Sequence, residues 1–204
     1  MSSTSAPFGL RPAFHPSGLD RAQALAGGIV SAYSTDIYKG APIRYNSTAG
    51  TSVAAGTITN AAAGAVWTGS FQGVEWTDTT GRRRVSNYWP ASTAYTTGSC
   101  IAYFYNDQNI VYEIQTDATI AQTSLGGEYN FSATSGLAVG SGSSTTGLST
   151  TCLGVSTAVA NAAQGDMRVV DLAPFADNAW GDTYVIVRVI NARSQYFGSV
   201  TAIV

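Results

Sequence analysis

From Ile29 onward the chain is written as short runs rich in Val, Ile, Tyr, Trp and Thr, each closed by Gly, Asn, Asp or Ser. Such runs favour the pleated backbone, and the punctuating residues favour turns. The strongest cover 37–45, 64–76, 84–89, 100–105, 110–115, 129–132, 153–158, 167–172 and 183–191. Strands at these intervals predict an all-β protein, an antiparallel β-barrel or sandwich with little helix.

Two turn signals stand between neighbouring runs. Asp78-Thr79-Thr80-Gly81 separates the run ending at Trp76 from the one starting at Arg84, and Asn106-Asp107-Gln108-Asn109 separates 101–105 from 110–114. Each predicts a hairpin. In the second, Ile110, Tyr112 and Ile114 fall on one face and Val111, Glu113 and Gln115 on the other, the alternation of a half-buried antiparallel strand. The best helix candidate is 118–125, with Asp117 as N-cap and Gly126 as terminator, and 19–26 is a second.

The first twenty residues carry Pro7, Pro12 and Pro16 with Gly9 and Gly18, which forbids a helix there. Phe8, Leu10, Phe14 and Leu19 are interleaved with the prolines, so 1–20 reads as an extended N-terminal arm with apolar anchors, docked on its own body or on a neighbour. Residues 21–204 read as a single β-rich domain. Within it, 133–151 is almost entirely Gly, Ser, Thr and Ala, with Leu137, Val139 and Leu148 as the larger apolar residues, and is expected to form a flexible loop. The stretch 46–65 reads as a flat edge region of weakly specified register.

Composition narrows the function. The chain is 45% apolar but 11% charged, against about a quarter charged in ordinary soluble domains, and sparse ionic surface favours association. A net charge of −2 supplies no broad basic field for nucleic acid. No apolar run is long enough for a membrane-spanning helix, and the first ten residues have no secretory pattern, so the chain is expected to begin in the cytoplasm. Cys100 and Cys152 lack the spacing of a metal site and read as small buried residues.

No catalytic set emerges. The single histidine, His15, lies in the arm, no serine sits in a Gly-x-Ser-x-Gly elbow, and the carboxylates are scattered. Asp177, Asn178 and Asp182 form the one local oxygen cluster, without the spacing of a calcium loop. We therefore expect no enzyme, no cofactor and no metal. Interface chemistry is better represented. Arg82-Arg83-Arg84 concentrates charge beside a turn and could anchor an acidic neighbour through bidentate contacts. Aromatic residues crowd 67–105, Trp89 among them, as in interface hot spots and also in barrel cores. The expected interface with a partner or with further copies is Phe8, Leu10, Phe14, Arg82, Arg83, Arg84 and Trp89.

The segment 71–91, Phe-Gln-Gly-Val-Glu-Trp-Thr-Asp-Thr-Thr-Gly-Arg-Arg-Arg-Val-Ser-Asn-Tyr-Trp-Pro-Ala, resembles head proteins of tailed bacteriophages of the cement, or decoration, type. The resemblance extends to Ala6-Pro7-Phe8-Gly9-Leu10-Arg11-Pro12, Tyr103-Phe104-Tyr105-Asn106-Asp107, Tyr112-Glu113-Ile114-Gln115, Asn178-Ala179-Trp180-Gly181 and Val187-Arg188-Val189-Ile190-Asn191. It implies a non-enzymatic β-rich virion protein, often a trimer, that binds the outside of the icosahedral head between major capsid subunits. There it would stabilise the head against DNA pressure after assembly in the host cytoplasm. The expected partners are the major capsid protein and further copies of the chain, with no direct nucleic acid and no membrane. A tail or fibre component and a carbohydrate-binding module are the alternatives.

Overall fold

The structure is a computed structural model that describes residues 4–18, 25–46, 56–159 and 164–196. It is all-β and antiparallel. The strands are β1 (Arg11–Phe14), β2 (Leu25–Gly27), β3 (Pro42–Tyr45), β4 (Ile58–Asn60), β5 (Gly69–Thr77), β6 (Arg83–Ser86), β7 (Ile101–Tyr105), β8 (Val111–Gln115), β9 (Glu128–Phe131), β10 (Gly142–Ser143), β11 (Leu148–Ser149), β12 (Leu153–Ala158), β13 (Met167–Leu172) and β14 (Ile186–Asn191). Each of the runs read as strands from the sequence overlaps one of these, whereas β1, β2, β4, β10 and β11 are too short or too small-residue-rich to announce themselves.

Two six-stranded sheets form, each around its own core. The first has the order β1-β8-β14-β13-β9-β12 and the second β2-β7-β5-β3-β4, with β6 added to β5. Trp67, Tyr112, Ile114, Phe131, Leu153, Met167 and the inward valines of β13 and β14 fill the first core. Ile37, Ile43, Phe71, Trp76, Trp89 and Phe104 fill the second. Strand twist curls both sheets. In the first, an isolated parallel bridge joins Thr116, just past β8, to Leu153 on β12; in the second, another joins Gly28, just past β2, to Thr57 before β4.

The turn at 78–81 forms as expected: β5 and β6 pair, Gly81 takes φ 83°, and the Asp78 carboxylate accepts from the N–H groups of Thr80 and Arg82. The expected hairpin across 106–109 does not. Asp107 does accept from the Asn109 N–H at 2.8 Å, but β7 belongs to the second sheet and β8 to the first, so this turn carries the chain from one sheet to the other.

Strand β8 is also buried on both faces rather than half-buried. Its inner residues Ile110, Tyr112 and Ile114 enter the first core, and its outer face is covered by the arm. The side-chain amide of Gln115 accepts from the Ala6 N–H and donates to the Thr4 carbonyl, while β1 lies antiparallel along β8. The arm thus docks on its own body. Its far end is held by His15, whose Nδ1 accepts from the Ser17 N–H and whose Nε2 donates to Asp107 at 3.1 Å.

The expected helix at 118–125 shrinks to a 3₁₀ turn, Gln122–Ser124. Asp117 is not its cap: the carboxylate accepts from the Val155 N–H at 2.9 Å and from the Ser132 hydroxyl at 2.6 Å, tying β12 to the segment after β9. Buried Ile120 and extended Ala121 then leave no room for a full helical turn. Of the second helix candidate, 19–24 lie outside the described residues and 25–26 belong to β2; the arm's Leu19 and residues 47–55 of the expected edge region also lie outside them. The Gly/Ser/Thr segment carries the β10–β11 ladder, and its Thr151 is fully buried. Lys39 is seated against it, donating its N–H to Gly147 and accepting from the Ser149 N–H.

A candidate interface built by the arm

The register of the first sheet sets four charged side chains in one row across its outer face. Arg11 of β1 lies opposite Glu113 of β8, Glu113 opposite Arg188 of β14, and Arg188 opposite Asp171 of β13. Signs alternate along the row. Arg11 donates to Glu113 through Nε at 3.1 Å and Nη2 at 2.7 Å; Arg188 stands 3.6 Å from Glu113 and 3.8 Å from Asp171. Glu113 is buried under these two guanidinium groups, which is how a carboxylate is tolerated on a covered strand.

Phenylalanines frame the row. The Arg11 guanidinium stands 4.6 Å over the Phe8 ring and 5.5 Å from that of Phe175, and Arg188 lies 5.2 Å over Phe14. Two β-bulges shape this surface. Between Pro12 and Phe14 the β1 register slips by one residue, and between Val169 and Asp171 β13 does the same. A bulge re-aims the side chains around it, and Phe14, Val170 and Phe175 remain 39%, 39% and 37% exposed. The turn bearing Phe175 is fixed by Asn178, whose buried amide donates to the carbonyls of Ala173 and Ile186 and accepts from the Ile186 N–H. Asn178 therefore faces inward and is committed to holding this turn.

Beside this face, between the arm and the β10–β11 ladder, lies a cleft of about 410 Å³ lined by Phe8, Leu10, Arg11, Pro12, Lys39, Gly40, Gln72 and Leu148. Gln72 is the extra residue of a third bulge, where the β5 register against β7 slips between Phe71 and Gly73. The walls meet at two glycines with positive φ, Gly9 and Gly40, and a side chain on either would collide with the other strand's backbone. Leu10 donates its N–H to Gly40 at 2.7 Å across that contact.

The expected interface residues thus separate. Phe8 and Phe14 belong to the arm face. Leu10, 1% exposed, is part of the first core, and Trp89, fully buried between Trp76 and Tyr95, is part of the second. Neither can meet a partner; the sequence pattern of apolar anchors does not distinguish a residue that reaches the core from one re-aimed by a bulge. Arg82, Arg83 and Arg84 lie exposed on the β5–β6 hairpin, away from the arm. Arg83 pairs with Glu75 and Arg84 with Asp78 at 2.9 Å. The Thr80 and Arg82 hydrogen bonds, with Arg84, hold the Asp78 carboxyl well below the usual carboxylate range, and Arg83 lowers Glu75. Two of the three arginines are therefore already engaged with acids of their own hairpin. Sequence reasoning missed Arg11, Glu113, Arg188 and Phe175, whose convergence is a matter of strand order.

Other titratable groups are built into the body. Asp166 is fully buried, its Oδ2 accepting from the N–H groups of Gly64 at 2.9 Å and Phe131 at 3.0 Å, with Arg193 at 3.8 Å from Oδ1. Burial outweighs these partners and raises its pKa. Burial likewise pushes the Cys152 thiol up to about 12 and raises that of Cys100, which is half-buried against the second core rather than fully buried as expected. Among the described residues no three of His, Cys, Asp and Glu gather as a metal site, and no helix is long and apolar enough to cross a membrane. Comparison with protein-family models, curated proteins and solved structures gives no match to this chain.

Proposed function

We propose that the chain is a non-enzymatic virion structural protein, a capsid cement or decoration protein that binds the outer surface of a tailed-phage head between major capsid subunits, as a homo-oligomer such as a trimer. The observation that carries this reading is the arm face: two part-exposed phenylalanines stacked on arginines over a rigid sheet. Aromatic residues and arginine are the side chains enriched where proteins meet. The low charge of the chain and its resemblance to cement proteins point the same way. Symmetric copies that each make a modest contact would hold a shell through effective concentration, and binding only the assembled shell would stabilise it by mass action.

The carbohydrate reading loses its best platform, because Trp67, Trp76 and Trp89 are buried and Trp180 is packed against the first core. The test is light scattering on the purified chain, then pelleting with empty phage shells. A stable oligomer that co-pellets at fixed stoichiometry, and weaker pelleting by a Phe14→Ser/Phe175→Ser double variant, are expected. A chain that stays in the supernatant would overturn the proposal.

A further inference from the structure

We infer that the cleft between the arm and the β10–β11 ladder seats an apolar side chain flanked by a carboxylate, presented by an extended segment of a partner protein. The inference rests on the assembly reading above and gives that partner a chemistry. Three of the lining side chains that reach the surface are apolar, Phe8, Pro12 and Leu148, with buried Leu10 behind them, whereas the charged ones are both cations, Arg11 and Lys39, in a chain of net charge −2. No acid lines the cleft. Lys39 is exposed and makes no ion pair among the described residues, and Arg11, although paired with Glu113, keeps 50% of its side chain exposed. Two cations with no carboxylate in the lining complement an anion.

Size and rigidity fit the same occupant. About 410 Å³ lies in the range of pockets that hold a ligand group. The Gly9–Gly40 contact and the bulge at Gln72 fix the walls in advance, which lowers the ordering cost of binding. The apolar surface does not end at the mouth: Leu148 is 38% exposed on the rim, so a chain that continues past the cleft gains contact that a small molecule would not.

The experiment follows amide chemical shifts of the ¹⁵N-labelled full chain during titration with acetyl-Gly-Leu-Asp-Gly-amide, its Asn counterpart and octanoate. The expected result is shifts concentrated at Gly40, Gln72 and Leu148 with the Asp peptide, binding about fivefold weaker for the Asn peptide, and a similar loss in Lys39→Glu. Arg82→Glu, on the distant hairpin, is expected to bind as the parent does, and the spectrum of each variant reports its fold. Equal binding of the two peptides, no response at these residues, or no effect of Lys39→Glu would overturn the inference. A stronger response to octanoate than to the peptide would replace the partner segment with a free acid and overturn it too. Because no shell is present, the result stands apart from pelleting. A chain that pellets but ignores the peptide loses only the cleft, and one that binds peptide but not shells loses only the assembly reading.

Discussion

Asp166 and the hairpin acids respond to pH with opposite sign. Asp166 is raised by burial, so folding favours its protonated form; its stabilising contribution is present below the ordinary carboxyl value of 3.8 and is lost as pH rises through the raised folded value. Asp78 and Glu75 are lowered by hydrogen bonds, so their contributions are present above the ordinary values and are lost as pH falls, and both pairs are solvent-screened. The prediction isolates the buried group. The stability difference between the parent and Asp166→Asn, from urea midpoints at a series of pH values, should shift in favour of the parent as pH drops from neutrality toward 4; a flat difference would mean that Asp166 ionises as an ordinary carboxyl. Asp166→Ala should be worse at every pH, because it orphans the buried Phe131 N–H, at about 1–3 kcal/mol, and releases the exposed Gly64 N–H to water. Leu10 and Phe14 form a second residue-level contrast. Leu10→Ala empties part of the first core and should cost about 2–5 kcal/mol. Phe14→Ala, on the part-exposed side of the bulge, should cost under about 1 kcal/mol while weakening shell binding.

At the scale of elements, strands were legible wherever β-branched and aromatic residues ran together, and pairing was legible only where a turn residue forced it. Gly81 with its positive φ closes β5 onto β6, so that hairpin could be read directly. Asn106–Asn109 has similar chemistry, yet β7 and β8 part company there. The reason lies in Gly69, at the head of β5: a side chain on it would overlap the Tyr105 carbonyl oxygen and crowd Asn106. The end of β7 is pressed against bare backbone, and the chain leaves toward the other sheet. Nothing local to 106–109 encodes a contact with a glycine far earlier in the chain. The double burial of β8 was hidden for the same reason, since the arm that covers it is remote in sequence. The glycine yields a direct test. Gly69→Ala should destabilise by more than about 4 kcal/mol, or prevent folding, although alanine is ordinarily the better strand residue; Gly81→Ala, where open space surrounds the position, should show only the modest strain of a positive φ. Comparable midpoints for the two variants would contradict the close approach at Gly69.

For the whole molecule, the question is how two separate cores behave as one. Trp67 precedes β5 of the second sheet in sequence, yet its ring lies in the first core, 5.9 Å from Tyr112 and 5.5 Å from Phe131, with Nε1 donating to the Asp166 carbonyl at 2.8 Å. Its own backbone holds the last described segment: Trp67 donates to Arg193, and Gln195 donates back to Trp67. Gln195 then reaches the second sheet, its amide bonded to both the N–H and the carbonyl of Tyr45 at the end of β3. From the other side Leu10, in the first core, binds Gly40 and accepts from the Ser70 hydroxyl of β5. With connections on both flanks, opening one core strips contacts from the other. Unfolding should be a single transition, with calorimetric and van't Hoff enthalpies equal. Trp67→Ala removes the central link and leaves a cavity, at a cost of about 3–5 kcal/mol, all of it charged to the first core. The second core, with Trp76 and Trp89 still packed edge to face, should then outlast the first. In that variant, tryptophan fluorescence should report a later midpoint than circular dichroism, and the enthalpy ratio should depart from one. Coincident probes in Trp67→Ala would mean that the arm and Gln195 alone couple the halves.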